Sequence, residues 1–498
     1  MTNGGTLEQA KRAEEMMLGE LVHLLPVGVL TLGAVLAIVL AIVLPRRRQG
    51  LVGAWVALAH VAAVGLAAFV WLNRGFAVIM SGTITVDGLA LTLTGLIGVA
   101  GALCVALARP SVAGTDREGE FYATLAFASL AAVLLVMASD AALVALAVGA
   151  LGLATFVLTG YARGSKRANE ASVKYYLFGT VSGAAMIYGM SWWFGLAGTT
   201  DLAAVGEALV SAPVAVAAAS TALVLFGLGY KAAVVPFHFW TPDAYEGAPV
   251  SVAAYLSIVP KVAGIAAIAR VLSLALPGDL LGWSTAIAAM AAATMTLGNV
   301  AALAQGNVVR LMAYSSIAQT GYLLMGIAAL GLSEQGLPAF VFYSAAYAAM
   351  NLGAFAVVYA VQHERKSVGL DAFSGLSRTH PWWTVVLMLS LLSLIGIPPL
   401  GGFVGKLELF KASIDAGQAW LAVVAVLNTV VSLVFYLRVL APTVLDPDPG
   451  RTAVATWTRG SRRTLNSVLI ASGVATVAIG LLAEPLIRLA EAATMLVS

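Results

Sequence analysis

Apolar stretches of about 20 residues, each long enough to cross a bilayer core of roughly 30 Å, recur along the whole of this 498-residue chain. No other feature constrains the fold as strongly, because a backbone that crosses lipid has to satisfy its own polar groups and does so as a helix. Runs bounded by charged or Gly/Pro-rich breaks place fourteen spans, centred near residues 32, 61, 98, 130, 150, 183, 223, 262, 293, 319, 348, 395, 430 and 476. Composition agrees: 60% of the residues are hydrophobic and 10% charged, against roughly 25% charged in an average soluble domain. The net charge of +3 is small, and Lys and Arg sit in short loops rather than blocks, which gives nucleic-acid binding little support. The single cysteine, Cys104, excludes disulfide frameworks, zinc sites and iron–sulfur clusters held within the chain. The polar start TNGGTLEQAKRAEE leads into a full-length span rather than a short core with a cleavage site, so no cleavable signal peptide is expected.

With the N-terminus outside, the inside loops hold Arg46–Arg48, Arg109, Arg117, Arg163, Lys166, Arg167, Arg310, Arg365, Lys366, Arg378, Arg451, Arg459, Arg462 and Arg463. The opposite loops hold mostly acids: Asp201, Glu207, Asp279, Glu334 and Asp415. This is the positive-inside pattern, with both termini expected away from the cytoplasm.

An ionisable side chain at mid-bilayer depth costs several kcal/mol and marks a functional site by default. Lys231 lies deep in LVLFGLGYKAAVVPFHFW, Lys261 directly after Pro260 in the next span, and Lys406 beyond the Pro398-Pro399 pair. Lys174 is a fourth candidate, although Glu170 one helical turn earlier would make it a paired residue near the cytoplasmic edge. Burial disfavours the charged form of a lysine, so a buried one can gain and lose protons near neutral pH. The plainer alternative is a lysine that snorkels to an interface or pairs statically with a carbonyl or carboxylate. His238, two residues after Pro236, either extends such a relay or hydrogen-bonds the broken backbone. Asp243 and Glu246 stand at a cytoplasmic helix end, where they feed an input channel or cap and pack the loop. Tyr314, Ser315, Ser316 and Gln319 in the tenth span, with Tyr347 and Asn351 in the eleventh, line a water path or simply bond helices together. His60, His363 and His380 read as end or loop residues outside the chemistry.

The segments around Pro236 and Pro398-Pro399 share an apolar run, a proline break and an aromatic four residues later, and fall five spans apart. Paired broken helices point to an inverted-repeat transporter. The expected fold is therefore an all-α polytopic membrane protein of about fourteen transmembrane helices. Two inverted five-helix repeats, spans 4–8 and 9–13, have their seventh and twelfth helices broken. Its divisions are residues 1–120 with three spans, 121–273 and 274–443 as the repeats, and 444–498 as a basic loop and final span.

Five stretches together carry a resemblance: YKAAVVPFHFWTPDAYEGAPVSVAAYLSIVPK, EASVKYYLFGTVSGAAMIYG, NVVRLMAYSSIAQTGYLLMG, YAAMNLGAFAVV and IGIPPLGGFVGKLELF. They resemble the subunit N family of bacterial respiratory complex I, the proton-pumping NADH-quinone oxidoreductase. Subunits L and M and the multisubunit sodium/proton antiporters share the P-F-H-x-W-x-P-D element, whereas YEGAP, Pro260-Lys261 and Lys406 are similar to N. The resemblance implies a membrane-arm subunit that translocates protons, driven by quinone reduction elsewhere, beside neighbours like subunits M and K. It also implies no cofactor in this chain, the FMN, iron–sulfur clusters, nicotinamide and quinone being handled by other subunits. By resemblance Lys231 is the lysine of the first half-channel, Lys261 the link, Lys406 the output-side lysine, and Lys174 a further family lysine. One departure stands out: the family's fifth-helix glutamate, thought to pair with the first-channel lysine, falls on Gly149, and no acid lies between Asp140 and Glu170. Lys231 then loses an attraction of about a few kcal/mol at intermediate dielectric, so either another acid substitutes or the pump cycle is altered. A sodium/proton antiporter subunit and a non-pumping spacer of the membrane arm are the alternatives.

Overall fold

The computed structural model describes residues 19–162, 164–447 and 457–493. Arg163, Arg451 and the polar start of the chain lie outside the described residues. A helix stands at each of the fourteen predicted centres: α1 Leu25–Val43, α2 Gly50–Arg74, α3 Gly88–Val112, α4 Glu118–Met137, α5 Ala141–Thr159 and α6 Lys166–Ala197. The seventh is split into α7a Val214–Ala232 and α7b Trp240–Gly247, followed by α8 Val250–Ala275, α9 Trp283–Leu303, α10 Val308–Ala328 and α11 Gly336–Arg365. The twelfth is split into α12a Pro381–Ile395 and α12b Gly401–Asp415, before α13 Ala419–Leu445 and α14 Arg459–Leu481. Among the described residues, 11 helices are long and apolar enough on their own to cross a membrane. Helix α7a qualifies alone, the twelfth span reaches that length only as α12a and α12b together, and α6 and α10 carry too many polar residues to qualify. A hairpin of β1 Ala77–Ile79 and β2 Ile84–Val86 closes the link between α2 and α3 in antiparallel register, Ala77 opposite Val86.

The helix starts are written in the sequence. Asp87, Asp140, Ser165, Asn307 and Thr458 each place a side-chain oxygen on the orphan N–H groups of the first turn of α3, α5, α6, α10 and α14. Pro260 sits inside α8 without ending it.

The neighbour relations of spans 4–8 recur in spans 9–13. Helix α4 packs on α5 and α8 as α9 packs on α10 and α13; α6 lies against α7a and α7b as α11 lies against α12a and α12b. Each repeat holds five spans, an odd number, so the second starts from the opposite membrane face and the pair is inverted. At the centre, α8 is mainly apolar and wholly buried, and α11 is nearly so. The arginine-rich loops meet at one end of the bundle: Arg46 pairs with Asp116 at 2.7 Å, Tyr161 donates to the Arg117 carbonyl, and Trp457 donates to Glu364. The hairpin and the paired backbones of Asp140 and Asp201 lie at the other.

Candidate functional site

The site is built on the two breaks. Helix α7a stops at Ala233, a non-glycine residue at φ +60°, where the Val234 N–H turns back to the Gly229 carbonyl at 2.8 Å. Carbonyls freed by the break have to find donors inside the protein. The Trp240 indole donates to the Tyr230 carbonyl at 2.9 Å and the Thr320 hydroxyl to the Ala232 carbonyl at 3.1 Å, while the Val235 N–H donates to Thr294 at 3.1 Å. At the second break Gly396 takes φ +97°. There the donor to the freed carbonyls of Leu394 and Ile395 is the Lys406 ammonium itself, 3.0 Å from each.

All three lysines are buried, Lys231 being 1% exposed, Lys261 0% and Lys406 2%. Their surroundings differ. Lys406 also reaches the Thr429 hydroxyl at 3.4 Å and lies 4.3 Å from the centre of the Tyr322 ring. Lys261 donates to Ser316 at 2.6 Å and stands 5.7 Å over Tyr245. Among the described residues Lys231 has no hydrogen-bond partner; its ammonium lies over the rings of Phe156 and Tyr175, at 5.8 and 5.7 Å. The backbones of α7a and α8 touch where the two lysines approach: a Cβ on Gly264 would lie 3.1 Å from the Ala232 nitrogen.

Between Lys261 and Lys406 runs a set of buried hydroxyls. Ser316 bonds Tyr347 at 2.8 Å, Tyr347 donates to the Ser257 carbonyl at 3.0 Å, and Asn351 donates to the Ser257 hydroxyl at 2.5 Å. From the adjacent residue, Ser315 bonds Tyr436 at 2.5 Å. Gln319, one turn on, donates at 3.4 Å to both Tyr436 and the Leu394 carbonyl and accepts from Tyr343. The Leu394 carbonyl is one of the two that Lys406 holds, so one cluster ends on Lys261 through Ser316 and the other on Lys406 through Ser315 and Gln319, both carried by α10. A hydroxyl bonded to an ionisable amine can exchange a proton with it, as Ser316 can with Lys261 and Thr429 with Lys406.

The other predicted residues fall elsewhere. Lys174 is brought not to the buried lysines but to the basic end, paired with Glu170 at 2.7 Å and Asp243 at 2.9 Å. Arg310 completes this cluster at 2.9 Å from both Asp243 and Glu246, around a cavity of about 220 Å³. Tyr314 belongs here, under the Arg310 guanidinium, and not to the buried hydroxyls. His238 is 5% exposed on the connection between α7a and α7b, and its Nδ1 is without a partner. His60 corrects the sequence reading: it lies midway along α2, fully buried, its Nδ1–H donating to the Val56 carbonyl, because α3 approaches closely enough at Gly101 for the ring to fit only against a glycine. His380 pairs with Glu364 at 3.2 Å at the basic end.

Three features escaped the sequence. Tyr436 and Thr429 lie on α13 in an otherwise apolar run, and only packing shows that they face the lysines. Arg270 forms a fully buried bidentate pair with Asp87, both nitrogen–oxygen distances 2.9 Å, and donates Nε to the Val136 carbonyl at 3.0 Å. Its signal was an arginine inside the apolar run IAAIARVLSLA. Among the described residues no three His, Cys, Asp or Glu side chains are grouped to hold a metal ion.

Residues 138–432 match the family described as "NADH:quinone oxidoreductase/Mrp antiporter, TM". The chain is 38% identical over 454 residues, 91% of its length and 95% of the relative's, to NADH-quinone oxidoreductase subunit N 1 of Streptomyces griseus. It superposes with a TM-score of 0.79 and 31% identity on a chain of respiratory complex I from Thermus thermophilus, covering 94% of this chain and 99% of that one. A chain of the Mrp complex from Dietzia sp. shares the fold at a TM-score of 0.84 with 24% identity, over 96% and 97% of the two chains.

Proposed function

Because the chain belongs to the NADH:quinone oxidoreductase/Mrp antiporter family, we propose that it is the antiporter-like subunit N of the membrane arm of an NADH-quinone oxidoreductase. It translocates protons while NADH oxidation and quinone reduction take place in other subunits. The observation that carries this reading is the pair of buried polar clusters on α10, one ending on Lys261 and the other on Lys406. Lys261 and Lys406 exchange protons with these clusters, Lys231 and His238 serve the first repeat, and Lys174 stands with Asp243, Glu246 and Arg310 at the mouth. The oxidoreductase activity belongs to the whole complex, and this chain binds no redox cofactor. Its divisions are residues 1–120, 121–273, 274–443 and 444–498. The arginine-rich end faces the cytoplasm of a bacterial inner membrane, with both termini on the other side and neighbours like subunits M and K alongside.

The test is the proton-to-electron ratio of the assembled complex in sealed vesicles, with NADH as donor and sodium absent. Lys406→Met and Lys231→Met are each expected to lower the ratio. An unchanged ratio in both makes the chain a spacer, and a requirement for sodium makes it a sodium/proton antiporter subunit.

A further inference from the structure

Among the described residues Lys231 has no neutralising partner, yet it borders an open space. A cavity of about 330 Å³ lies between α5 and α6, walled in part by Gly149, Gly152, Gly179, Gly183, Tyr230 and Lys231. The amine is directed toward its glycine floor, since a Cβ on Gly152 would lie 3.8 Å from Nζ. Gly149 and Gly183 present bare backbone to the space, with nothing within 4 Å of where their Cβ atoms would be. The cavity opens on the outer face of the bundle, where Leu146, Leu153 and Ile187 are 67%, 63% and 56% exposed. Tyr230 and Thr180, which also border it, already donate their hydroxyls to the Tyr175 and Tyr176 carbonyls.

Among the described residues no carboxylate is placed to fill the space. The helices packed around Lys231 are α5, α6, α7a, α7b and α8. Helices α5, α7a and α8 contain no acid, and α6 has only Glu170. Glu170, Asp243 and Glu246 are held by Lys174 and Arg310 at the basic end. A desolvated ammonium without a partner is costly, and the shape that leaves it so also leaves room to reach it from outside. Glycines opened toward the bilayer are what lets another helix approach closely.

We propose that this cavity receives an aspartate or glutamate side chain from a transmembrane helix of a neighbouring subunit, which pairs with Lys231. The occupant's chemistry follows from the site: the apolar rim takes a membrane helix, and the buried amine takes a carboxylate at its centre. The inference rests on the chain working within a multi-subunit membrane assembly but not on proton translocation, and its test reads no pumping.

A photo-reactive benzoylphenylalanine placed at Leu153, on the rim, is irradiated in the assembled complex in native membranes. The expected product joins this chain to another subunit through an apolar peptide that contains Asp or Glu. Gly149→Glu, which the empty space accommodates, puts a carboxylate into the cavity and is expected to lower the yield about tenfold, the lower bound for a close interfacial charge pair. Lys231→Met, which breaks no hydrogen bond, lowers it likewise if Gly149→Glu fails to accumulate. Products with lipid alone, a partner peptide without an acid, or a yield that neither substitution changes would overturn the proposal.

Discussion

Arg270→Met isolates the energetics of the ion pair that joins α8 to the start of α3. Asp87 has 0% side-chain exposure, and its partners are two guanidinium nitrogens at 2.9 Å and the Ala90 N–H at 2.8 Å. The substitution removes the first two and leaves a carboxylate buried with one neutral donor. The Val136 carbonyl loses its Nε donor as well. Removing one member of a buried pair costs about 3–5 kcal/mol. At about 1.4 kcal/mol per tenfold, this is about two to nearly four orders of magnitude in the folding equilibrium. The cost comes from the stranded charge, so Asp87→Ala combined with Arg270→Met should recover most of it, retaining about 1 kcal/mol for the lost helix cap. The measurement is a double-mutant cycle by sodium dodecyl sulfate titration of the purified chain in mixed micelles, followed by circular dichroism. If Arg270→Met costs under about 1 kcal/mol, or the two substitutions simply add, the pair does not hold the helices as argued.

Lys406→Met and Lys231→Met should separate in the same titration: the first takes its donor from the Ile395 carbonyl and leaves Leu394 only the long bond from Gln319, at about 1–3 kcal/mol, and the second breaks no hydrogen bond, so equal losses would contradict the assignment of partners. Tyr347→Phe removes the hydroxyl between Ser316 and the Ser257 carbonyl and is expected to slow proton uptake by vesicles while costing about 1 kcal/mol of stability; normal uptake would take Tyr347 out of the path. Gly264→Val forces atoms into the 3.1 Å approach between α8 and the Ala232 nitrogen, with an expected loss of about 1–3 kcal/mol, and a neutral result would mean that the two helices can part there.

The breaks show how sequence and structure divide the account. Pro236 and Pro398-Pro399 announce where the seventh and twelfth helices stop, because proline removes a backbone donor and a helix in lipid cannot ignore the loss. What then satisfies the freed groups is invisible locally, since Thr294 of α9 accepts from the Val235 N–H, Thr320 of α10 donates to the Ala232 carbonyl, and Lys406 comes from the far side of its own break. Ser316, Tyr347 and Asn351 could be picked out as polar residues in apolar spans. That they form one cluster with Lys261, while Tyr314 turns away to Arg310, depends on which face of α10 and α11 meets α8.

Sequence alone determined the number of spans, their two broken members, the charge asymmetry of the loops and the identity of the buried lysines, because the cost of polar groups in hydrocarbon acts residue by residue. Tertiary structure decided what each lysine touches: carbonyls for Lys406, a serine for Lys261, and for Lys231 a cavity floored by glycine. Partnership is a matter of distance between helices far apart in the chain, and no local pattern encodes it.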